Sequence, residues 1–361
     1  MNKSTLFILF SLVCLSQVNA QTGGQSVHNF LDFSYSGRLA ALGGNLISVR
    51  DNDPTLILTN PSSIGKNHHN SLALHFTNYF ANVGYGSALY SRTFDKIGSF
   101  AMEMRFVGYG KFNGTDVLGQ ETGVFTAGDY ALTVGWGRPL AENFSIGANF
   151  KMVYAHYESY SSFGIAADLA GTYFNDEKRL SLTLLVKNIG SELKPFTSGN
   201  YQRMPFDIQL ALSQRFAHLP VRYHISLHSL YKWDMVNTGS LEPFLDRDPT
   251  MQYKYPSKAS RFFDNFFRHI IFGIEIEPVK YFSLLVSYNH NRRQEMKIPQ
   301  RGTMAGFSYG FMIDIRSVRF GFARSHYAVG AVPNYFTFSA NIDELSQLSK
   351  DKKKKKLQRL N

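Results

Sequence analysis

The chain has a single cysteine in 361 residues, Cys14, and it falls within the first twenty. Met1 to Ala20 carries one basic residue (Lys3), an apolar run from Leu6 to Leu15 and the small-residue pattern Val18-Asn19-Ala20. That is the layout of a secretory signal peptide cleaved after Ala20. Lipid attachment at Cys14 is the alternative, and Val13 is a poor residue to precede it. Removing residues 1–20 leaves no thiol, which excludes disulfides, thiol catalysis and Cys-zinc sites. Charge is scarce too, at 18%, below the usual quarter. After the leader, no run approaches the roughly 20 apolar residues of a membrane helix. A mean hydropathy of -0.19 likewise excludes a polytopic helical membrane protein. What is abundant instead is aromatic: 31 Phe and 20 Tyr, with 29 Gly. This mixture favours strands.

Alternation with period two recurs along the chain. It runs through Leu72-Leu74-Phe76, Val83-Tyr85, Phe100-Met102-Met104-Phe106, Tyr130-Leu132-Val134-Trp136, Ile146-Ala148-Phe150-Met152 and Phe163-Ile165-Ala167-Leu169. Leu180-Leu182-Leu184-Val186, Phe206-Ile208-Leu210-Leu212 and Val221-Tyr223-Ile225-Leu227 continue it. Ile270-Phe272-Ile274-Ile276, Phe282-Leu284-Val286-Tyr288, Phe307-Tyr309-Phe311, Val318-Phe320-Phe322 and Phe336-Phe338 complete it. The count is about 14, an even number as bacterial barrels require. The residues between them suit a polar lumen: Glu103, Arg105, Asn149, Lys151, Asp168, Asp207, Gln209, His224 and His228. Links after even-numbered strands are short. Those after odd-numbered strands are mostly long, at 109–128, 189–205, 232–268 and 290–304. Short turns on one side and long loops on the other mark an all-β, transmembrane antiparallel barrel of the outer membrane. On this reading Phe150 and Leu284 face lipid, while Asn149 and Ser283 face the lumen and tolerate change. Aromatic residues near strand ends, among them Tyr79, Trp136, Tyr231 and Trp233, fit interfacial girdles.

The expected organisation is a signal peptide (1–20), an N-terminal plug or hatch (21–70), the barrel (71–342) and a lysine-rich disordered tail (343–361). The plug segment is rich in Gly, Asn, Asp and Pro and reads as neither strand nor long helix; a periplasmic arm is the alternative. Its SGRLAALGG…TNPSSI resembles the hatch of FadL-like barrels, with Ser62 where Ala is usual. GYGKFNGTDVLGQETGVFTAGDYALTVGWGRPL, ESYSSFGIAADLAGTYF, VKNIGSELKPF, MPFDIQLALSQRFAHLP, RHIIFGIEIEP and YNHNRRQEMKI together resemble the PorQ family of the type IX secretion system, over most of residues 27–342. That resemblance implies a non-enzymatic outer-membrane component that retains a surface protein, PorZ, in the complex releasing and attaching secreted cargo. FadL-like transport of hydrophobic small molecules is the alternative. The tail after Ile342 is not part of the family pattern.

Motifs that would signal other chemistry lack their context. Gly306-Phe307-Ser308-Tyr309-Gly310 fits G-x-S-x-G but sits inside an alternating strand, where a nucleophile elbow needs a strand–turn–helix. His224 and His228 would stand about 13 Å apart on a strand, at ~3.3 Å per residue, too far for one metal. Neither a dinucleotide fingerprint nor a P-loop is present. No catalytic residue, metal or cofactor is therefore expected. The net charge of +11 would ordinarily suggest nucleic acid; an exported chain meets anionic lipid or lipopolysaccharide instead. The expected partner-binding residues lie in outer loops: Trp233, Lys254, Lys258, Arg261, Arg268, Arg292, Arg293, Lys297 and Arg301, with arginines suited to phosphate or carboxylate. The tail carries Lys350, Lys352 to Lys356 and Arg359 against Asp343, Glu344 and Asp351.

Overall fold

The computed structural model describes residues 26–235, 257–296 and 302–358. The expected signal peptide and the candidate residues Lys254, Lys297 and Arg301 lie outside the described residues. Fourteen strands form one closed barrel: β1 (Ser71–Asn78), β2 (Gly84–Phe94), β3 (Gly98–Thr115), β4 (Glu121–Ala141), β5 (Phe144–Tyr157), β6 (Tyr160–Asn175), β7 (Leu180–Lys194), β8 (Asp207–Arg215), β9 (Val221–Leu227), β10 (Ile270–Val279), β11 (Phe282–Asn289), β12 (Phe307–Ile315), β13 (Val318–Ser325) and β14 (Asn334–Asn341). Each pairs antiparallel with its sequence neighbour. Closure comes from β1 against β14, in register from Ser71↔Asn341 to Asn78↔Asn334. Among the described residues four α-helices accompany them: α1 (Gly37–Ala41), α2 (Lys258–Arg268), α3 (His290–Met296) and α4 (Ile342–Gln358). Among the described residues no helix is long and apolar enough to cross a membrane.

The barrel is inside-out relative to a water-soluble protein. Met102, Met104, Phe150, Leu169, Leu184 and Leu284 are exposed on the outer wall, whereas Glu103, Arg105, Asn149, Lys151 and Asp168 between them are buried. Such a face is stable only against hydrocarbon, where closure satisfies every backbone group.

Two of the expected long links are shorter than the pattern suggests. β3 and β4 keep pairing through 109–128, down to Thr115↔Glu121, and leave a turn at 116–120. Phe112 stacks on Phe125 there, with centroids 5.3 Å apart. This hairpin extension has water on both faces, so the apolar alternation fades while pairing continues, after a register shift between Gly108 and Lys111. β7 likewise continues to Lys194. The tail also departs from expectation: from Ile342 it is helical rather than disordered. Asn341 caps it by accepting from the Glu344 N–H at 3.1 Å. Asp343 and Glu344 occupy its first turn, and the lysines follow, the polarity the helix dipole favours. Lysine is itself a good helix former.

Residues 26–70 form a plug within the barrel. Donors around the wall reach its backbone: Tyr85 Oη of β2 to Ser34 O (3.2 Å), Asn149 Nδ2 of β5 to Leu58 O (2.9 Å), Ser213 Oγ of β8 to Ser48 O (2.9 Å), Ser226 Oγ of β9 to Asn45 O (2.7 Å) and Ser287 Oγ of β11 to Ala41 O (2.8 Å). A periplasmic arm could not meet strands on all sides at once. Its apolar residues Phe30, Leu31, Tyr35, Leu39 and Leu42 build a core with inward wall residues such as Tyr335 and Leu285. The wall makes room where the plug comes closest. A Cβ on Gly147 would stand 2.3 Å from Pro61 O, and one on Gly137 2.5 Å from the same atom. Tyr79, expected in a girdle, instead packs its ring against Phe33, Tyr85 and Tyr327.

Candidate functional site

The plug is held by a buried ionic knot. Arg38 on α1 reaches Asp51 at 2.7 Å, Asp53 at 3.0 Å and Glu275 of β10 at 2.9 Å. Arg222 of β9 joins Asp51 and Glu275, both at 3.0 Å. Arg319 of β13 reaches Asp53 at 3.2 Å. One guanidinium therefore ties three segments of chain together, and two wall arginines close the set. Burial alone would raise the Asp51 and Asp53 carboxyls. Arg38 and Arg222 hold Asp51 well below the usual carboxylate range, and Arg319 and Arg38 depress Asp53.

A second anchor is Asn60-Pro61-Ser62. The Asn60 side chain donates to Ile47 O (2.7 Å) and Thr172 Oγ1 (3.0 Å) and accepts from Ser62 N (3.0 Å). The Ser62 hydroxyl lies 2.6 Å from Thr172 Oγ1. The Ser62 hydroxyl thus adds a bond to β6.

Between the plug and the inward side chains Glu103, Arg105, Lys151, Asp168 and Gln209 the free space is about 30 Å³, room for about one water. Among the described residues the plug leaves little free lumen there. Space opens instead at the long-loop end, in a cleft of about 370 Å³ between the start of the plug and β3–β7. Phe30, Phe33, Tyr109, Tyr157 and Phe196 supply its apolar lining, and His28, Asp129 and Glu192 its polar groups. Asp129 accepts from Tyr109 Oη (2.6 Å) and Tyr157 Oη (2.7 Å). Phe196 stacks on Tyr157 with centroids 4.9 Å apart. His28, in the left-handed region at φ 59°, lies 3.1 Å from Ser162 Oγ. Burial lowers its pKa, with Glu192 opposing.

The expected partner-binding residues divide. Lys258, Arg261 and Arg268 all lie on α2, and Trp233 sits 5.2 Å, ring to ring, from Phe262 of the same helix. Arg261 and Arg268 have internal acidic neighbours, Asp234 and Asp264. Arg292 turns onto the Tyr327 ring, 3.8 Å from its centroid, and Arg293 donates to the Thr303 carbonyl. Both are half-buried and make these contacts within the chain. Ser308 of the G-x-S-x-G sequence is fully buried within β12, and a Cβ on Gly310 would stand 2.4 Å from Phe322 O. That glycine serves close strand packing. Sequence reasoning missed the ionic knot, the cleft and the four phenylalanines of α2. Only the last left a local signal, aromatic pairs four residues apart in Arg261-Phe262-Phe263-Asp264-Asn265-Phe266-Phe267.

Solved barrels share this architecture. The Ralstonia pickettii toluene transporter TbuX superposes with a TM-score of 0.50 at 10% identity, covering 86% of this chain and 99% of its own. The CymD monoaromatic hydrocarbon channel gives 0.50 at 11%, covering 86% and 98%. The TodX deltaS2S3 mutant, also titled a monoaromatic hydrocarbon channel, gives 0.50 at 12%, covering 86% and 99%. No family model and no curated protein matches the chain. At 10–12% identity the likeness is one of fold alone, the closed antiparallel barrel that this chain builds from fourteen strands.

Proposed function

We propose that this barrel admits a small hydrophobic, aromatic-type solute across the outer membrane, with the outer cleft as its first binding site and the plug as the hatch. The cleft carries the reading. At about 370 Å³ it falls within the usual range for small-ligand sites, which are apolar with a few placed polar groups. Its fold neighbours bear the names of toluene and monoaromatic channels. Passage then requires the plug to shift, since it leaves little free lumen beneath the cleft.

Uptake of a labelled monoaromatic compound by cells displaying the barrel tests this. Wild type is expected to accelerate uptake over barrel-free cells, and Phe196→Ala to weaken apparent affinity a few-fold to tenfold, one aromatic contact of about 0.5–1.5 kcal/mol. Equal uptake with and without the barrel contradicts the proposal.

The second reading is the PorQ-like one, a closed scaffold that retains a PorZ-like surface partner. The observation favouring it is the same scant free lumen, because a scaffold needs no path. A pull-down from detergent-solubilised outer membranes yielding a stoichiometric surface protein, together with absent uptake, would support it over the channel.

A further inference from the structure

Helix α2 is amphipathic in the wrong sense for water. Its polar side is turned inward. Asn265, buried, donates to Asp234 Oδ1 (3.2 Å) and accepts from Met235 N (3.1 Å). Asp264 takes Arg268 at 2.8 Å and His290 of α3 at 3.4 Å, while Arg268 Nη1 also reaches Asn291 Oδ1 at 3.3 Å. The opposite side presents Phe262 (52% exposed), Phe263 (58%), Phe266 (42%) and Phe267 (48%), with Trp233 (50%) beside them. At 100° per residue, positions 262, 263, 266 and 267 span one face of about 140°. A helix held by its polar face, with four phenylalanines outward, repeats the inside-out logic of the barrel wall.

The aromatic face is also continuous with that wall. The Phe267 ring lies 5.9 Å from His290, His290 lies 6.0 Å from Tyr288, and Tyr288 lies 4.9 Å from Phe307 on the outer surface of β12. The helix ends at Arg268, and its C-cap His269 leads directly into β10, whose first outward exposed ring is Phe272. It therefore sits at the barrel rim on the long-loop side, where hydrocarbon gives way to headgroups. Lys258, about 110° round the helix from the centre of that face, is exposed on its flank, and such a cation attracts the phosphates of an anionic leaflet.

We infer that α2 is an interfacial lipid-binding helix. Its phenylalanines and Trp233 lie in the outer leaflet at the boundary between acyl chains and headgroups, and Lys258 meets lipid phosphate. This rests on the membrane placement of the barrel alone, so it stands or falls separately from solute uptake. The occupant is lipid rather than protein because the face adjoins an existing lipid-facing surface, reached through His290, Tyr288 and Phe307.

Quenching of tryptophan by brominated lipid tests it. The chain has two tryptophans, Trp136 and Trp233, so Trp136→Phe leaves Trp233 as sole reporter in the full-length protein. Trp136, on the outer side of β4, serves as the positive control in a Trp233→Phe variant. In phosphatidylcholine–phosphatidylglycerol vesicles, bromine high on the acyl chains should quench Trp233 at least twofold more than bromine near the chain ends. Replacing all four phenylalanines by Ser should abolish the difference, while Leu at the same positions should keep it. Unquenched Trp233 with Trp136 quenched overturns the inference. So does a stoichiometric protein partner that shields Trp233 from brominated lipid in native membranes.

Discussion

Arg38→Met is expected to destabilise the folded barrel by about 3–5 kcal/mol, the cost of removing one partner from a buried ionic set. Methionine fills much of the same volume but leaves Asp51, Asp53 and Glu275 facing one another, with Arg222 and Arg319 as the remaining cations nearby. Urea unfolding in reconstituted vesicles measures the loss. The same knot sets a pH dependence. Both aspartates have folded-state pKa values below the ordinary 3.8. Their stabilisation is therefore complete above the unfolded value and fades as pH falls through the folded one. Wild-type plug protection against protease should begin to weaken below about pH 4 and be lost only as pH falls further, through the depressed folded-state values, whereas Arg38→Met should be protease-sensitive already at neutral pH. A fully protected plug in Arg38→Met would show that packing alone holds it.

Leu284→Arg should cost about 2–4 kcal/mol if it lies near the bilayer midplane, because its side chain projects from β11 into lipid. Ser283→Arg, pointing the other way and only partly buried, should cost less. The matching comparison at Phe150 and Asn149 fails as a sequence-based expectation. Asn149 faces inward but is not tolerant, since it donates to Leu58 O of the plug and to Asp168, each at 2.9 Å. Lumen-facing positions are permissive only where no plug lies against them. Refolding into vesicles from urea gives both numbers; equal losses at 283 and 284 would mean the faces are reversed.

The barrel wall was legible because period two is a local property: each strand announces its two faces through residues such as Met102 and Glu103. Closure and an even strand number followed from that rhythm. The plug was legible from composition, as a stretch too irregular to be wall. Its fastening was not. Arg38 and Glu275 are 237 positions apart, and nothing local to either signals the pairing. The glycines at 137 and 147 were visible as residues, but their purpose appears only when Pro61 is beside them. The β3–β4 extension was hidden because a hairpin wet on both faces loses its apolar alternation. Helix α2 was hidden for the converse reason: its aromatic period is helical, inside a span that loop length alone assigns to a link.

Passage of solute through the barrel requires the plug to move. Leu42 of the plug and Gly273 of β10 face each other, with a Cβ on Gly273 only 3.7 Å from Leu42 Cβ, a separation that suits a disulfide. In a Cys14→Ser background, Leu42→Cys with Gly273→Cys should therefore lock the plug to the wall when oxidised. The decisive measurement is uptake of a labelled monoaromatic compound by cells carrying this pair, before and after reduction. The hatch account predicts uptake at the barrel-free level when oxidised and recovery to the wild-type rate on adding dithiothreitol. Wild-type uptake through the fully cross-linked barrel would contradict it.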